Sequence, residues 1–404
     1  MTAEMTKLDI YEKIMTVILV VYAFFVNIST SMVSICISLG TIVMLVQYCK
    51  IGSVPRINKY IIIAVIMYVV TGMISNAINV GMIDGIKMWI GHTYRFLPML
   101  WAIMYIKTAN QIKYVMLALL GTVFAENIVA INQGVHIWGN YIENGGRVRG
   151  LTSNPNVLAP MLLLFIITLY IQINALAIKS KIKMLMLAGI CLSLISLLLT
   201  MSRGSWLTFV AILLLSIFML RQRTKQLIIC AVLLLICISG LFVTKPEYYQ
   251  RMETVMDMNM SSNAARTYIW QDTLAMISEH PIAGIGLERY SDVFNSEYAS
   301  EELLNIEKNG VQHAHNNVLM VLSEGGIIAL AGYVFFYTTM LILLLKTAIR
   351  SHWKCEYAVM GILLVISIQL TGMVDMNVYN ANIMRLFLFL LGFSFVGCKI
   401  LDNK

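Results

Sequence analysis

In the stretch VQHAHNNVLM, His313, His315, Asn316 and Asn317 stand together just before a long apolar run. A histidine titrates near neutral pH and is a natural proton acceptor. An asparagine at such a boundary caps the helix that follows. Metal ligation is the competing chemistry. One residue separates the two histidines, which suits neither a pair of ligands one helical turn apart nor a cysteine-containing site, and no outer Asp-x-Asp is present to hold a divalent cation. The expectation is a general base or a cap, with no metal and no cofactor.

Three further groups of residues are awkward in an apolar setting. Arg203 is a lone cation in LLLTMSRGSWLTFV, where one apolar run ends and the next begins. It either snorkels to headgroups or offers its planar fork to a phosphate. Arg266 falls in the first turn of an expected helix, where the helix dipole disfavours a cation, so either a surface acid or an external anion compensates it. Arg147 and Arg149 precede Asn154, Pro155 and Asn156 in RVRGLTSNPN, a stretch that reads either as plain turn chemistry or as the wall of a cavity.

The elements that must position these residues are membrane helices. The chain is 59% hydrophobic and 12% charged, about half the charge of a soluble domain, and its mean hydropathy is +0.79. Uncharged runs long enough for a bilayer core of about 30 Å lie near 14–28, 31–48, 60–75, 95–106, 114–131, 157–178, 184–201, 205–220, 226–243, 317–345, 356–374 and 383–398. The expected fold class is therefore an all-α, polytopic integral membrane protein of about twelve transmembrane helices with one large, partly helical outer loop. It divides into residues 1–243 with nine helices, the loop at 244–316, and residues 317–404 with three helices. The spans at 14–28 and 95–106 are short.

Basic residues fall in every second short loop: Lys50, Arg56 and Lys59; Lys107 and Lys113; Lys179, Lys181 and Lys183; Arg221, Arg223 and Lys225; Lys346, Arg350 and Lys354. By the positive-inside rule these loops and both termini are cytoplasmic. The net charge of +8 is thus a topology signal, and no nucleic-acid partner is expected. Acids mixed among the N-terminal lysines, and the lack of a small-residue cleavage site, argue against a cleaved signal peptide. The seven cysteines fall within spans or at their cytoplasmic ends, so no external disulfide is expected.

The outer segments by this topology are 76–94, 132–156, 202–204, 244–316 and 375–382. The 244–316 loop holds eleven of the 21 acidic residues against five basic ones. Within it, SSNAARTYIWQDTLAMISEHP reads as a surface helix capped by Ser262 or Asn263, with Ile269, Trp270, Leu274 and Ile277 on one side and Pro281 as its stop. Gly284 and Gly286 in HPIAGIGLERY then turn the chain back toward the bundle.

With these pieces in place the chain resembles the O-antigen ligase and O-antigen polymerase superfamily of bacterial membrane glycosyltransferases, chiefly over residues 147–345. Four stretches carry the likeness: RVRGLTSNPN; SRGSWL, which fits an Arg-x-x-x-Leu element as Arg203 to Leu207; ARTYIWQDTLAMISEHPIAGIGLERY; and HAHNNVLMVLSEGGIIALAG. The last fits the family's His, polar residue, nine residues and Gly as His315, Asn316 and Gly326. Where the family usually has Gly, Thr or Tyr three positions on, Ala329 stands, a change expected to affect packing alone.

The resemblance implies a metal-independent enzyme of the bacterial cytoplasmic membrane, active on its outer face. It would move a glycan from undecaprenyl diphosphate to an acceptor hydroxyl on a glycan, glycolipid or protein. His315 would be the base, Arg203 and Arg266 would hold the diphosphate, and Asn316, Asn317, His313, Arg149 and Asn156 would support them. Ligase-type transfer is the first reading and polysaccharide polymerisation from the same donor the alternative. A lipid-linked glycan flippase or transporter would need polar or broken helices near the midplane, and spans such as 184–201 are clean.

Overall fold

The computed structural model describes residues 2–139, 146–225, 227, 228, 239, 253 and 261–401. Most of the span expected at 226–243, and most of the first part of the large loop, lie outside these residues. All regular elements among the described residues are helical. The first five are α1 (Thr2–Phe25), α2 (Thr30–Ile51), α3 (Lys59–Val80), α4 (Met82–Thr93) and α5 (Leu97–Tyr105). Then come α6 (Ala109–Gly139), α7 (Pro155–Ala175), α8 (Ser180–Leu199) and α9 (Arg203–Met219). The large loop contributes α10 (Ser261–Glu279), and the chain closes with α11 (Asn317–Arg350), α12 (Glu356–Thr371) and α13 (Ala381–Leu401).

A chain crossing hydrocarbon must satisfy its backbone internally, which is why these apolar runs are helices. Seven of them, α2, α3, α6, α7, α8, α11 and α13, are long and apolar enough to cross a membrane, and α9 and α12 are apolar but shorter. Helices α7 and α13 are buried along most of their length, whereas α2 turns Ile35, Leu39, Ile42 and Leu45 outward. Polar side chains clamp the bundle. Tyr105 donates to Gln47 at 2.7 Å, Tyr357 to Gln172 at 2.7 Å, Tyr333 to Gln369 at 2.6 Å and Asn127 to Ser193 at 2.9 Å, each joining two helices.

Residues 76–94 are largely helical: α3 continues to Val80, Gly81 turns the chain at φ +99°, and α4 runs back against α3. Gly85 sits on the backbone of Asn76 and the Trp89 ring on Gly72, where any Cβ would collide. The expected span at 95–106 is the second half of this helical stretch, after a 3-10 turn at Tyr94–Phe96. The nine residues of α5 rise only about 14 Å and cannot cross a bilayer core alone.

The described part of the large loop folds into a cap with a core of its own. Ala265, Ile269 and Met276 of α10 pack with Tyr290, Phe294, Leu303, Val311, Ala314 and Met320. The buried stripe of α10 is Ala265, Ile269, Thr273 and Met276. Thr273 is fully buried, bonded to Tyr290 at 2.6 Å, while Leu274 is 54% exposed. Ser262 and Asn263 lie within α10.

The segment after α10 is inserted into the bundle. Helix α11 breaks at Gly326 (φ 60°), and a side chain there would strike the carbonyl of Ile282 at 2.3 Å. Across the break, Ile327 N–H donates to Pro281 at 2.9 Å and Ile285 N–H to Ser323 at 2.9 Å. Ser75 and Asn79 of α3 both donate to the Ala283 carbonyl, at 2.9 and 2.6 Å. Gly284 and Gly286 adopt positive φ as their turn role requires. Ala329 is buried against Gly325 on the same helix, a packing position.

Candidate active site

Five separate stretches of chain meet at one end of the bundle around a cavity of about 410 Å³. Arg203 opens α9 directly after the tight turn that ends α8. The Trp206 indole N–H fixes that turn by donating to the Leu197 carbonyl at 3.0 Å. Arg203 is 8% exposed and donates through Nη2 to Asn263 Oδ1 at 2.7 Å. Arg266 stands less than one turn further along α10 and lines the same cavity. Its buried Nε has no hydrogen-bond partner among the described residues. The third arginine is Arg147, which donates to the Thr200 carbonyl at 2.8 Å and to Asn156 Oδ1 at 2.5 Å.

Of the two arginines in RVRGLTSNPN, Arg147 lines the cavity. Arg149 is exposed and is absent from the cavity lining. The reason lies in α6. Gln133 Oε1 accepts the backbone N–H groups of Arg149 and Gly150 at 3.0 and 2.9 Å, and Glu126 accepts that of Leu151 at 2.8 Å. These bonds fix the turn at Gly150 (φ +59°) and leave Arg149 at the surface. Asn156 does line the cavity, and Asn154 caps α7 through the N–H of Asn156 at 2.8 Å.

His315 faces the arginines across the cavity. It holds a left-handed backbone at φ 48°, uncommon for a residue with a side chain. Asn316 follows as the N-cap of α11, its Oδ1 accepting from Val318 N at 2.9 Å and Leu319 N at 3.1 Å, while its Nδ2 donates to the Met373 carbonyl at 3.1 Å. Asn317 is buried and accepts from the N–H groups of Asn377 and Val378 at 2.8 and 3.1 Å. Its own N–H donates to Gly372 at 2.7 Å. The two asparagines thus pin the 372–378 turn against the start of α11.

That turn carries Asp375, which the sequence reading did not select. Its Oδ1 lies 3.4 Å from His315 Nδ1, a charge contact rather than a directed hydrogen bond. Burial pushes the Asp375 carboxyl up, but the neighbouring His315 and His313 and the Met376 N–H outweigh it and hold the group below the usual aspartate range. Asp375 therefore stays ionised beside His315.

His313 packs edge to face on His315 with ring centroids 4.2 Å apart. The loop between them is held to α10 by the Trp270 indole, which donates to the Ala314 carbonyl at 3.0 Å. Burial, and after it the charge of His315, pushes His313 down to about 4, so it is neutral near pH 7. His313, His315 and Asp375 offer three potential metal-ligand atoms within 4.8 Å of one another, a grouping that the spacing of the histidines alone does not reveal.

Residues 188–334 match the family model described as O-antigen ligase. The match supports the O-antigen ligase superfamily for this chain. No curated protein matches it. The O-antigen ligase match runs from within α8 to the middle of α11 and includes Arg203, Arg266, His313 and His315. Arg147, Asn156 and Asp375 lie outside it and reach the cavity only through the fold.

Proposed function

We propose that this chain is a metal-independent membrane glycosyltransferase of the O-antigen ligase type, moving a glycan from undecaprenyl diphosphate to an acceptor hydroxyl. The observation that carries the reading is the placement of Arg147, Arg203 and Arg266 around the cavity that His315 and Asp375 also line. Diphosphate is already a good leaving group, so the main task is to stabilise its developing charge. Guanidinium groups fixed in a partly enclosed cavity do that.

The acceptor oxygen attacks the anomeric carbon as the bond from that carbon to the diphosphate oxygen breaks. The hydroxyl proton passes to His315, which becomes imidazolium beside the Asp375 carboxylate. The electron pair leaves with the diphosphate and is met by the arginines. In-line attack inverts the anomeric centre. Asn316 and Asn317 position His315 and Asp375 by holding the 372–378 turn, His313 walls the base, and Asn156 orients Arg147. Basic residues at the far ends of α7, α9 and α11 support a cytoplasmic far side, and hence both termini in the cytoplasm and the cavity on the outer face of a bacterial cytoplasmic membrane.

The acceptor decides between ligase and polymerase. Purified protein given only its lipid-linked repeat unit is expected to do nothing until a distinct acceptor is supplied, and then to attach the glycan to it. A ladder of products from the repeat unit alone establishes a polymerase instead. Lipid translocation in vesicles with no glycan transfer under either condition overturns the enzyme reading.

A further inference from the structure

Nδ1 of His313 is buried and lacks a hydrogen-bond partner among the described residues, and Nδ1 of His315, also buried, has only its 3.4 Å charge contact with Asp375. A buried polar atom left unsatisfied is costly and calls for a partner. Both histidines belong to a trio with Asp375 that offers one ligand atom from each residue within 4.8 Å of the others, and the Asp375 to His315 separation is 3.4 Å. Bonds of about 2.0–2.2 Å from nitrogen and carboxylate to a tetrahedral zinc ion place neighbouring ligand atoms roughly 3.3 Å apart. One edge of the triangle is therefore already at length, and a modest closing movement of His313 completes it.

We propose that His313, His315 and Asp375 form a binding site for a zinc-class divalent ion, and that the bound ion switches transfer off. The donor set of two imidazoles and a carboxylate, with a fourth position open to the cavity, suits zinc rather than magnesium or calcium, which prefer oxygen ligands. The inhibition follows from tautomer chemistry. While Nδ1–H of His315 faces Asp375, the lone pair for the acceptor proton is on Nε2. When Nδ1 donates its electron pair to the ion, the proton it carried moves through solvent to Nε2. The imidazole stays neutral but has no lone pair left for the acceptor hydroxyl. The arginines across the cavity oppose the added positive charge, so binding is expected to be reversible by chelators.

The binding claim stands on geometry alone, while the inhibition rests on His315 being the proton acceptor, and the test separates the two. Purified full-length protein is stripped with EDTA, desalted and titrated with zinc chloride by calorimetry, with cobalt(II) as a spectroscopic substitute for coordination geometry. Expected are a single ion per chain, a tetrahedral cobalt spectrum, and loss of transfer on zinc addition that EDTA restores. His313→Ala is expected to weaken zinc binding by at least roughly tenfold, and the zinc concentration that halves its own zinc-free rate is expected to rise by the same factor. Asp375→Asn is a second binding variant, and size-exclusion profiles confirm that both are folded. Absence of stoichiometric binding, or unchanged binding in both folded variants, overturns the site. Zinc that binds and raises transfer overturns the inhibitory role. The base reading fails separately, if His315→Ala retains transfer in zinc-free buffer.

Discussion

The two ends of the bundle use the same residue types for different purposes. At the cavity end Arg203 is almost wholly buried, and Arg147 and Arg266 stand around the same cavity. Beyond the other ends of α9 and α11, Arg221, Lys225, Arg350 and Lys354 are exposed, and Arg223 pairs with Glu356 at 3.1 Å. Lys107 is likewise paired with Glu12. Buried guanidiniums demand an anion or a fixed acceptor, whereas exposed and paired cations can serve topology with no ligand at all. Counting basic residues along the chain cannot separate these roles, but burial does.

The largest expected effect breaks the cavity end at its base. His315→Ala is expected to cut transfer roughly 10² to 10⁴-fold without loss of folded protein. Asp375→Asn should keep the fold and fall short of the His315 loss, because it removes the charge that stabilises the imidazolium but not the base itself. Rates with saturating donor and acceptor check both. Wild-type rates in either variant would reduce the cavity end to a structural cluster.

Next in size is the charge opposite the base. Arg203→Ala is expected to lower transfer roughly 10² to 10³-fold, as for removal of a donor that meets developing charge. Arg203→Lys should recover only part, since an ammonium lacks the bidentate fork. Equal rates for Lys and Arg would mean that charge alone is required there.

A smaller effect sharpens the role of His313. Its folded pKa of about 4 lies below the ordinary histidine value of about 6.5. Between these values the unfolded chain binds the extra proton, so this group makes stability rise with pH across that window and fall on acidification. The apparent melting temperature of the purified protein should drop from pH 6.5 toward pH 4, and His313→Gln should flatten that slope. An unchanged slope would show that His313 is not held neutral by burial.

How much of this was legible in the sequence differs between elements. The apolar runs, the alternating basic loops and the polar cluster before α11 are local patterns, and they single out Arg203, Arg266 and His315, which line one cavity. Asp375 is not singled out, because its partner lies 60 residues away (375 − 315) and tertiary bonds from Asn316 and Asn317 help bring the turn into place. A signal did exist: Asp375 is the one carboxylate between Glu356 and Asp402, isolated between two apolar runs. Arg147 and Arg149 differ in their partners, Thr200 and Asn156 for the Arg147 side chain and Gln133 for the Arg149 backbone, and that is tertiary information. The burial of Thr273 in α10 rests on hydrogen bonds, which an apolar period does not register. The short α5 and the return of α4 depend on Trp89 meeting Gly72, again a contact between helices.

The smallest expected effect is the control for the whole comparison. Arg223 donates through Nε and Nη2 to the same oxygen of Glu356, at 3.2 and 3.1 Å, and joins the end of α9 to the start of α12. Both side chains keep some exposure, so the pair resembles surface ion pairs, which contribute about 0.2–1 kcal/mol. Arg223→Gln is therefore expected to leave transfer unchanged and to lower the melting temperature only slightly, with the difference shrinking in high salt. Arg203→Gln, the same change at the other end of the same helix, is expected to abolish most transfer in the same assay. If instead Arg223→Gln costs as much transfer as Arg203→Gln, the division into a chemical end and a topological end is wrong. The arginines would then act through the stability of α9, and a melting shift of matching size in both variants would identify that cause.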